Sequence, residues 1–498
     1  MTGQRIEISP AGESIRAPEH GLYVGGEWRR TGRSFDSRNP SRPGQVVGSF
    51  AAATESDVAD AYATAAEAAG DWRRRSPLER GRVLLRAAEV LASRADEVGA
   101  ELSTEEGKTL AEGRGEVLRG ADILRFYAGQ ASQAIGEVYP SAGAETFLYA
   151  IREPLGVVAL ITPWNFPIAI PVWKIAPALA YGNAIVWKPS ELTPLCAVRV
   201  VEALIEAGLP DSVVNLVLGD PAEIGPAVTD DPRVSGISFT GSAAVGRSIQ
   251  ERVAKRGVKV QLELGGKNPA VILDDADLDL AVAQVVRGAM ASTGQKCTAT
   301  SRALVTPGVA DRFIERLLAA VGEQRIGDPL DPETTLGPLV SRAQFDRVAT
   351  YLDLAASENH ALLAGGEAES DPDEAGYFVK PTVYGDVDPD SRIAHEEIFG
   401  PVLGVIPAGS IDEAIEVANG VDFGLSASIF TRDLGAAMRF AREVEAGVVH
   451  VNSETAGAEP QVPFGGMKAS SSHSREMGPQ AAEFYTDVKT VYVDQPSG

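Results

Sequence analysis

Three side chains in this sequence combine a reactive atom with neighbours that could put it to use. Cys297 lies in Ser292-Thr-Gly-Gln-Lys-Cys297-Thr-Ala-Thr-Ser301, small and polar residues at the end of a helix-length segment. A thiol in such surroundings is reachable, and the adjacent Lys296 or a helix N-terminus would favour its nucleophilic thiolate. Glu263 closes the apolar run VKVQLE and is followed by Gly265-Gly266, which let backbone or ligand approach closely. A carboxylate there is either solvated or held near a site. Asn165 follows an apolar strand in Thr162-Pro-Trp-Asn165-Phe-Pro167. Its amide, at the carboxyl end of a parallel strand, could donate to an oxyanion. Each residue alone also fits a blander role: a buried structural thiol, a surface glutamate, a turn asparagine. Cys196 fits that blander role well, on the apolar side of the helical run LTPLCAVRVVEALIEAG.

Two further segments could hold a phosphate or a ribose. Phe239-Thr-Gly241-Ser242-Ala-Ala-Val-Gly246 follows a strand and opens a helix with Ser242 as cap. It is not GxGxxG, and Arg247 stands where a P-loop needs lysine, which excludes a P-loop NTPase. A helix N-terminus can still receive a phosphate through its free N–H groups and dipole. Lys188-Pro-Ser-Glu191 ends another strand, as a ribose grip or a solvated turn.

The elements that must position these groups follow from periodicity. Amphipathic helices are expected over about 55–70 and 108–135, and Ser76-Pro-Leu-Glu79 opens a third that runs to about Ala95 with a capping box. From about residue 153, strand-length apolar runs alternate with helical segments: 156–162, 183–188, 213–218, 234–239 and 258–263. That alternation predicts a mostly parallel, doubly wound sheet. A helix over about 276–291 and strands near 302–306, 402–406, 426–430 and 447–452 form a second alternation. The extended segments 136–152 and 487–494 could pair with each other or with another subunit.

A chain of 498 residues is too long for one ordinary core. Its net charge of −24 argues against nucleic acid as a partner. Two cysteines exclude a disulfide scaffold, and five scattered histidines give no metal-ligand spacing. Residues 1–18 read as a flexible tail without an apolar leader, and the apolar stretch 155–187 reads as buried strand, turn and helix, not a membrane span. The cytoplasm is the expected compartment.

Seven segments together resemble the aldehyde dehydrogenase superfamily: TPWNFP (162–167), WKPSE (187–191), FTGS (239–242), LELGGKNP (262–269), GQKC (294–297), EEIFGPV (396–402) and PFGG (463–466), in the family's order over about residues 20–495. The resemblance implies an α/β fold with a Rossmann-like cofactor domain (19–135 and 154–265), a second α/β catalytic domain (266–481) and an oligomerisation arm (136–153 and 482–498). It implies Cys297 as nucleophile, Glu263 as general base, Asn165 with the Cys297 N–H as oxyanion hole, and Lys174 as an aid to proton transfer. For the cofactor, NAD with NADP as a weaker alternative, it implies Thr162, Pro163, Trp164, Lys188, Ser190, Glu191, Gly219, Phe239, Gly241, Ser242, Val245, Leu264, Gly265, Glu397 and Phe399. Around the substrate it implies Phe166, Ile170, Trp173, Lys296, Thr298 and Phe464, with the first three at the entrance.

Residues 152–179, 293–302, 455–466 and 470–493 are similar to the α-ketoglutaric semialdehyde dehydrogenases. Succinic semialdehyde, aromatic and aliphatic aldehydes are the alternative substrates. A semialdehyde carboxylate would need a cation, for which Lys296 is the candidate, while Glu454 near the mouth would repel it. A homodimer or homotetramer is the implied assembly. Two rival readings are a silent binding protein of the same fold and a cofactor-free thiol hydrolase.

Overall fold

The computed structural model describes residues 9–10, 19–133, 136–369 and 371–494. The first alternation forms the parallel strands β1 (Val157–Ile161), β2 (Ala184–Lys188), β3 (Val214–Leu216), β4 (Val234–Thr240) and β5 (Lys259–Glu263). Their order across the sheet is β5-β4-β1-β2-β3, extended by the antiparallel hairpin Leu22–Val24/Glu27–Arg29. The chain winds outward from β1 through β2 to β3 and then returns to β1's other side for β4. A crevice therefore opens at the carboxyl ends of β1 and β4, where α/β sheets receive ligands. The register aligns Lys188 and Phe239 with Ile161, and Glu263 with Thr240.

The second sheet contains β6 (Asn268–Ile272), β7 (Thr300–Val305), β8 (Thr382–Gly385), β9 (Val402–Pro407), β10 (Ser426–Phe430) and β11 (Val448–Val451), in the order β8-β9-β7-β6-β10-β11. An antiparallel strand, Ala361–Ala364, lies outside β8. Apolar cores cover both faces of this sheet. Only Leu264–Lys267 separate β5 from β6, so the carboxyl edge of the first sheet meets the amino edge of the second.

Helices α1 (Glu55–Arg74), α2 (Pro77–Ser93), α3 (Ala95–Glu106) and α4 (Leu110–Gln130) belong to the first half. The expected capping box is present: Ser76 N–H donates to Glu79 at 2.8 Å, and Glu79 N–H donates back to Ser76 Oγ at 3.3 Å. The sequence reading stopped at Ala95 and missed α3, which restarts after a break at Arg94. Within the expected flexible tail, Ser9–Pro10 instead pair antiparallel with Arg33–Ser34; the remainder of 1–18 lies outside the described residues.

Gly136–Tyr139, Thr146–Pro154 and Thr486–Asp494 form a separate three-stranded antiparallel sheet, so the two extensions pair with each other. Residues 482–485, expected in this arm, are helical instead, with Phe484 and Tyr485 buried in the first core. Among the described residues, no helix is long and apolar enough to cross a membrane. The 155–187 stretch divides into β1, the helix α5 (Ala169–Ala180) and β2.

Candidate active site

The junction of the two sheets is where the sequence-predicted residues meet. Glu263 ends β5, Asn165 follows β1, Cys297 precedes β7, and Glu397 and Phe399 precede β9. Asn165 Nδ2 donates to the Gln295 carbonyl at 2.9 Å, which ties it to the cysteine loop. An amide carries two N–H donors, so one remains for a ligand. Gly266 packs so closely that a side chain there would strike the Cys297 carbonyl. Asn268 Nδ2 donates to that same carbonyl at 2.8 Å and to Ala299 O at 2.9 Å.

The approach to Cys297 is unusual. After α8 (Leu278–Met290), Ser292, Thr293 and Gly294 have φ of 54°, 54° and 67°. Left-handed backbone costs a non-glycine residue about 1–2 kcal/mol, and here it is held from outside. Glu112 accepts from Ser292 N–H at 2.7 Å, and Thr293 Oγ1 donates to Gly337 O at 3.0 Å. This reversal leaves Cys297 in a turn, partly exposed, beyond the C-terminal end of α8.

Neither sequence-stated aid to the thiolate is therefore in place. Cys297 is not at a helix N-terminus, and Lys296 Nζ lies 3.7 Å from Glu454 and donates to the Arg287 carbonyl. Burial pushes the Cys297 thiol up to about 12, with the carboxylates of Glu397 and Glu263 adding to it. The backbone N–H groups of Cys297 and Thr298 pull the other way.

Glu263 is 2% exposed. Its Oε2 accepts from Ser471 Oγ at 2.6 Å, while Oε1 is buried against Gly465 of the PFGG segment with no partner among the described residues. Burial holds its carboxyl well above the usual carboxylate range, and nearby Glu476 raises it further. Lys174 is wholly buried on α5; its Nζ donates to Ser238 Oγ at 2.8 Å and pairs with Glu476. The Ser238 hydroxyl is also 3.0 Å from Gln261 Oε1.

On the nucleotide side, Thr162, Pro163 and Trp164 follow β1, and Trp187 Nε1 donates to Thr162 Oγ1 at 2.9 Å. Lys188 and Glu191 form an ion pair of 3.1 Å beyond β2, and the Ser190 hydroxyl accepts from Leu192 N–H. Gly219, with φ of 149°, follows β3. Gly241 and Ser242 follow β4, and Ser242 caps α7 (Ala243–Val253), as expected. Val245 in the first turn of α7 is 48% exposed beside the crevice, whereas Phe239 and Leu264 are buried against Gly246. Glu397 accepts from Gly266 N–H at 2.9 Å and leaves no room for a side chain at Gly265. Phe399, with φ of 65°, meets Trp164 edge-on at 5.5 Å.

Of the substrate-side residues, Phe166 is partly buried and Thr298 is buried. Trp173 packs on Phe464 at 5.4 Å. Ile170 and Trp173, both expected at the entrance, are 1% and 8% exposed on a helix buried all round. Glu454 is not a free repelling charge: Arg287 Nε lies 3.1 Å away, in addition to Lys296. Sequence reasoning missed Glu476, Ser471, Asn268, Lys108 and Glu116. Glu476 and Ser471 lie inside a stretch quoted for its resemblance, SSSHSREMGPQ, and Asn268 lies in LELGGKNP.

The model of the aldehyde dehydrogenase family matches residues 28–491. The chain belongs to that family. It is accordingly an oxidoreductase acting on aldehydes. This aldehyde dehydrogenase is 44% identical to an alpha-ketoglutaric semialdehyde dehydrogenase of Bacillus subtilis, over 95% of this chain and 97% of the relative. It is 46% identical to an alpha-ketoglutarate semialdehyde dehydrogenase of Haloferax volcanii, over 94% and 98%. Among solved structures, an NAD-dependent aldehyde dehydrogenase from Sinorhizobium meliloti superposes with a TM-score of 0.94 at 37% identity, covering 97% and 96% of the two chains. A betaine aldehyde dehydrogenase from Staphylococcus aureus, solved in complex with NAD+, gives 0.93 at 34% identity, covering 96% of each.

Proposed function

We propose that this aldehyde dehydrogenase uses NAD to oxidise a carboxylate-bearing semialdehyde of the 2-oxoglutaric kind, through a thioester on Cys297. The observation that carries the chemistry is the meeting of Cys297, Glu263 and Asn165 where the two sheets abut.

The crevice fits a dinucleotide. It lies at the topological switch of the first sheet, with the N-terminus of α7 for phosphate and Glu191 for a ribose diol. Thr240 Oγ1, at the end of β4, is buried without a hydrogen-bond partner among the described residues, and Val245 offers an exposed apolar contact. Lys188, Ser190, Ser242 and Glu397 would hold the group. NAD supplies the hydride acceptor when bound.

The protein's own groups account for the other events. Cys297 Sγ attacks the aldehyde carbon once its proton has left. The second N–H of Asn165 Nδ2 and the Cys297 N–H meet the charge that grows on the carbonyl oxygen, each worth roughly 2.7–4 kcal/mol. After oxidation to the thioester, Glu263 takes a proton from the attacking water. Lys174 and Glu476 stand behind Glu263 as a buried charged pair through which that proton can be passed on.

A semialdehyde substrate is supported by the charge around Lys296, next to Cys297 in the chain. Arg287 and Lys296, two cations, face one carboxylate, Glu454, and the Arg287 side chain is 69% exposed. Arg119 on α4 donates to Ala458 O of the same loop. An excess of cations beside the thiol favours an anionic substrate.

An assembly of two or four copies is supported by the arm. Val138, Phe147, Val488 and Tyr492 are exposed on it at 70, 53, 61 and 68%, and β11 leaves an open strand edge. Unpaired thiols suit a reducing cytoplasm.

The test is a comparison of kcat/KM for 2-oxoglutaric semialdehyde, succinic semialdehyde, benzaldehyde and a plain aliphatic aldehyde, followed by the absorbance of the reduced cofactor. The 2-oxoglutaric compound is expected to lead by about tenfold or more. An apolar aldehyde in the lead would overturn the substrate assignment, and silence with all of them would favour a binding protein. Ester cleavage without NAD as the main activity would favour a thiol hydrolase.

A further inference from the structure

One short segment, Glu105 to Glu116, sends buried and half-buried charged side chains into three walls of the cleft. Glu105 accepts from Leu195 and Cys196 N–H, at 2.9 and 3.0 Å, at the start of α6 (Pro194–Glu206) beyond the Lys188–Glu191 turn. Glu112 holds Ser292 of the cysteine loop. Lys108 and Glu116 hold the turn that carries Asn165. Lys108 Nζ donates to the Asn165 carbonyl, stands 3.7 Å above the Phe166 ring and lies 2.8 Å from Glu116. Glu116 in turn accepts from Ile168 and Ala169 N–H, at 2.9 and 3.1 Å, at the N-terminus of α5.

Burying this many charges costs stability unless each is matched, and a core needs none of them. Lys108 is 2% exposed and Glu116 is 5% exposed. Their contacts converge on the backbone of residues 165–169, so they fix the direction of the Asn165 side chain while its Nδ2 is anchored to Gln295 O. A donor misplaced by about 1 Å can lose on the order of 10²-fold in rate.

We propose that Lys108 and Glu116 are positioning residues that aim the Asn165 amide at the oxyanion. The proposal rests on Asn165 being an oxyanion donor, and the experiment separates the two ideas. In the full-length enzyme, kcat is measured for Lys108→Met and Glu116→Gln, each alone and combined with Asn165→Ala. Glu116→Gln keeps an acceptor for Ile168 and Ala169, so it serves if Lys108→Met does not fold.

Asn165→Ala alone is expected to cost about 10²–10³-fold. The single positioning variants should cost roughly tenfold to a hundredfold in kcat, with the Kd for NAD unchanged within about twofold. In the Asn165→Ala background they should cost less than about twofold, because the group they aim is gone. Additive losses in that background, or a parallel loss of NAD affinity, would overturn the positioning role. An Asn165→Ala enzyme with full activity would instead sink the oxyanion assignment beneath it. Glu105→Gln, which braces α6, is the control: its losses should add to those of Asn165→Ala, and coupling there would mean general loosening in place of aim.

Discussion

At the carboxyl edge of the first sheet, most groups assigned to the cofactor come from turns directly after β1, β2, β3 and β4, joined by Glu397 and Phe399 from before β9, and much of their binding capacity is backbone N–H at a helix start. Around Cys297, where the two sheets abut, the chemistry is assigned to side chains drawn from distant stretches: Glu263, Cys297 and Asn165, with Lys174, Ser471 and Glu476 behind them. One region works through strand ends that any doubly wound sheet possesses. The other works through charges that are stable only in one another's company. A change on the nucleotide side should therefore shift affinity or preference, whereas a change on the chemical side should remove a step.

The largest expected effect is that of Cys297→Ala. Oxidation should fall by on the order of 10⁴-fold or more, while calorimetry still shows NAD binding, since the thiol lies outside the nucleotide turns. Turnover retained by this variant would erase the distinction between the two regions. Next comes Glu263→Gln, expected to release reduced cofactor in a burst and then stall at the thioester, with the steady-state rate down about 10²–10⁴-fold. Stopped-flow absorbance distinguishes the phases, and an undiminished steady state would show that another group activates water.

Glu476→Gln should act more mildly and in a defined direction. Burial and the Glu476 charge hold the Glu263 carboxyl high, so Glu263 stays protonated and idle as a base until the pH climbs past its raised value. Removing the Glu476 charge while keeping Lys174 should lower that value. The acid limb of the kcat profile then moves to lower pH; a limb that stays put or rises would detach Glu476 from the base. The smallest effect belongs to the nucleotide side. A 2′-phosphate would meet Glu191, at about 1 kcal/mol per charge pair at 4 Å in water and about 4 at an effective dielectric of 20, partly offset by Lys188. Glu191→Gln should narrow the NAD-over-NADP ratio of kcat/KM severalfold, and an unchanged ratio would rule out the charge argument.

The same contrast explains what the sequence made legible. Strand, turn and cap are local signals, so the five parallel strands of the first sheet and the Ser242 cap could be read from short windows, whereas its antiparallel hairpin was not. The helix α3 escaped because its N-cap, Arg94, makes no side-chain cap and its pattern runs on from α2. The roles proposed for Cys297, Glu263 and Asn165 follow from the motifs they sit in; their neighbours do not. Nothing in a window around Lys296 shows that Glu454, from a remote loop, lies close enough to engage its charge. Nothing around Glu263 points to Ser471 or Glu476, and the charges of Glu105–Glu116 look like the solvated face of a helix until the fold buries them. The helix α5 is buried all round, so neither its sequence nor its burial singles out the side that meets the cleft.

Gly294 has a practical bearing on redesign. Any side chain at that position would run into the carbonyl of Gly400, one residue past Phe399. The ribbon bearing the thiol and the ribbon bearing Glu397 thus interlock like two teeth with no clearance. A graft that brings a new thiol-bearing ribbon from a relative must bring the relative's 396–402 ribbon as well, and libraries that randomise one while freezing the other will mostly sample clashes.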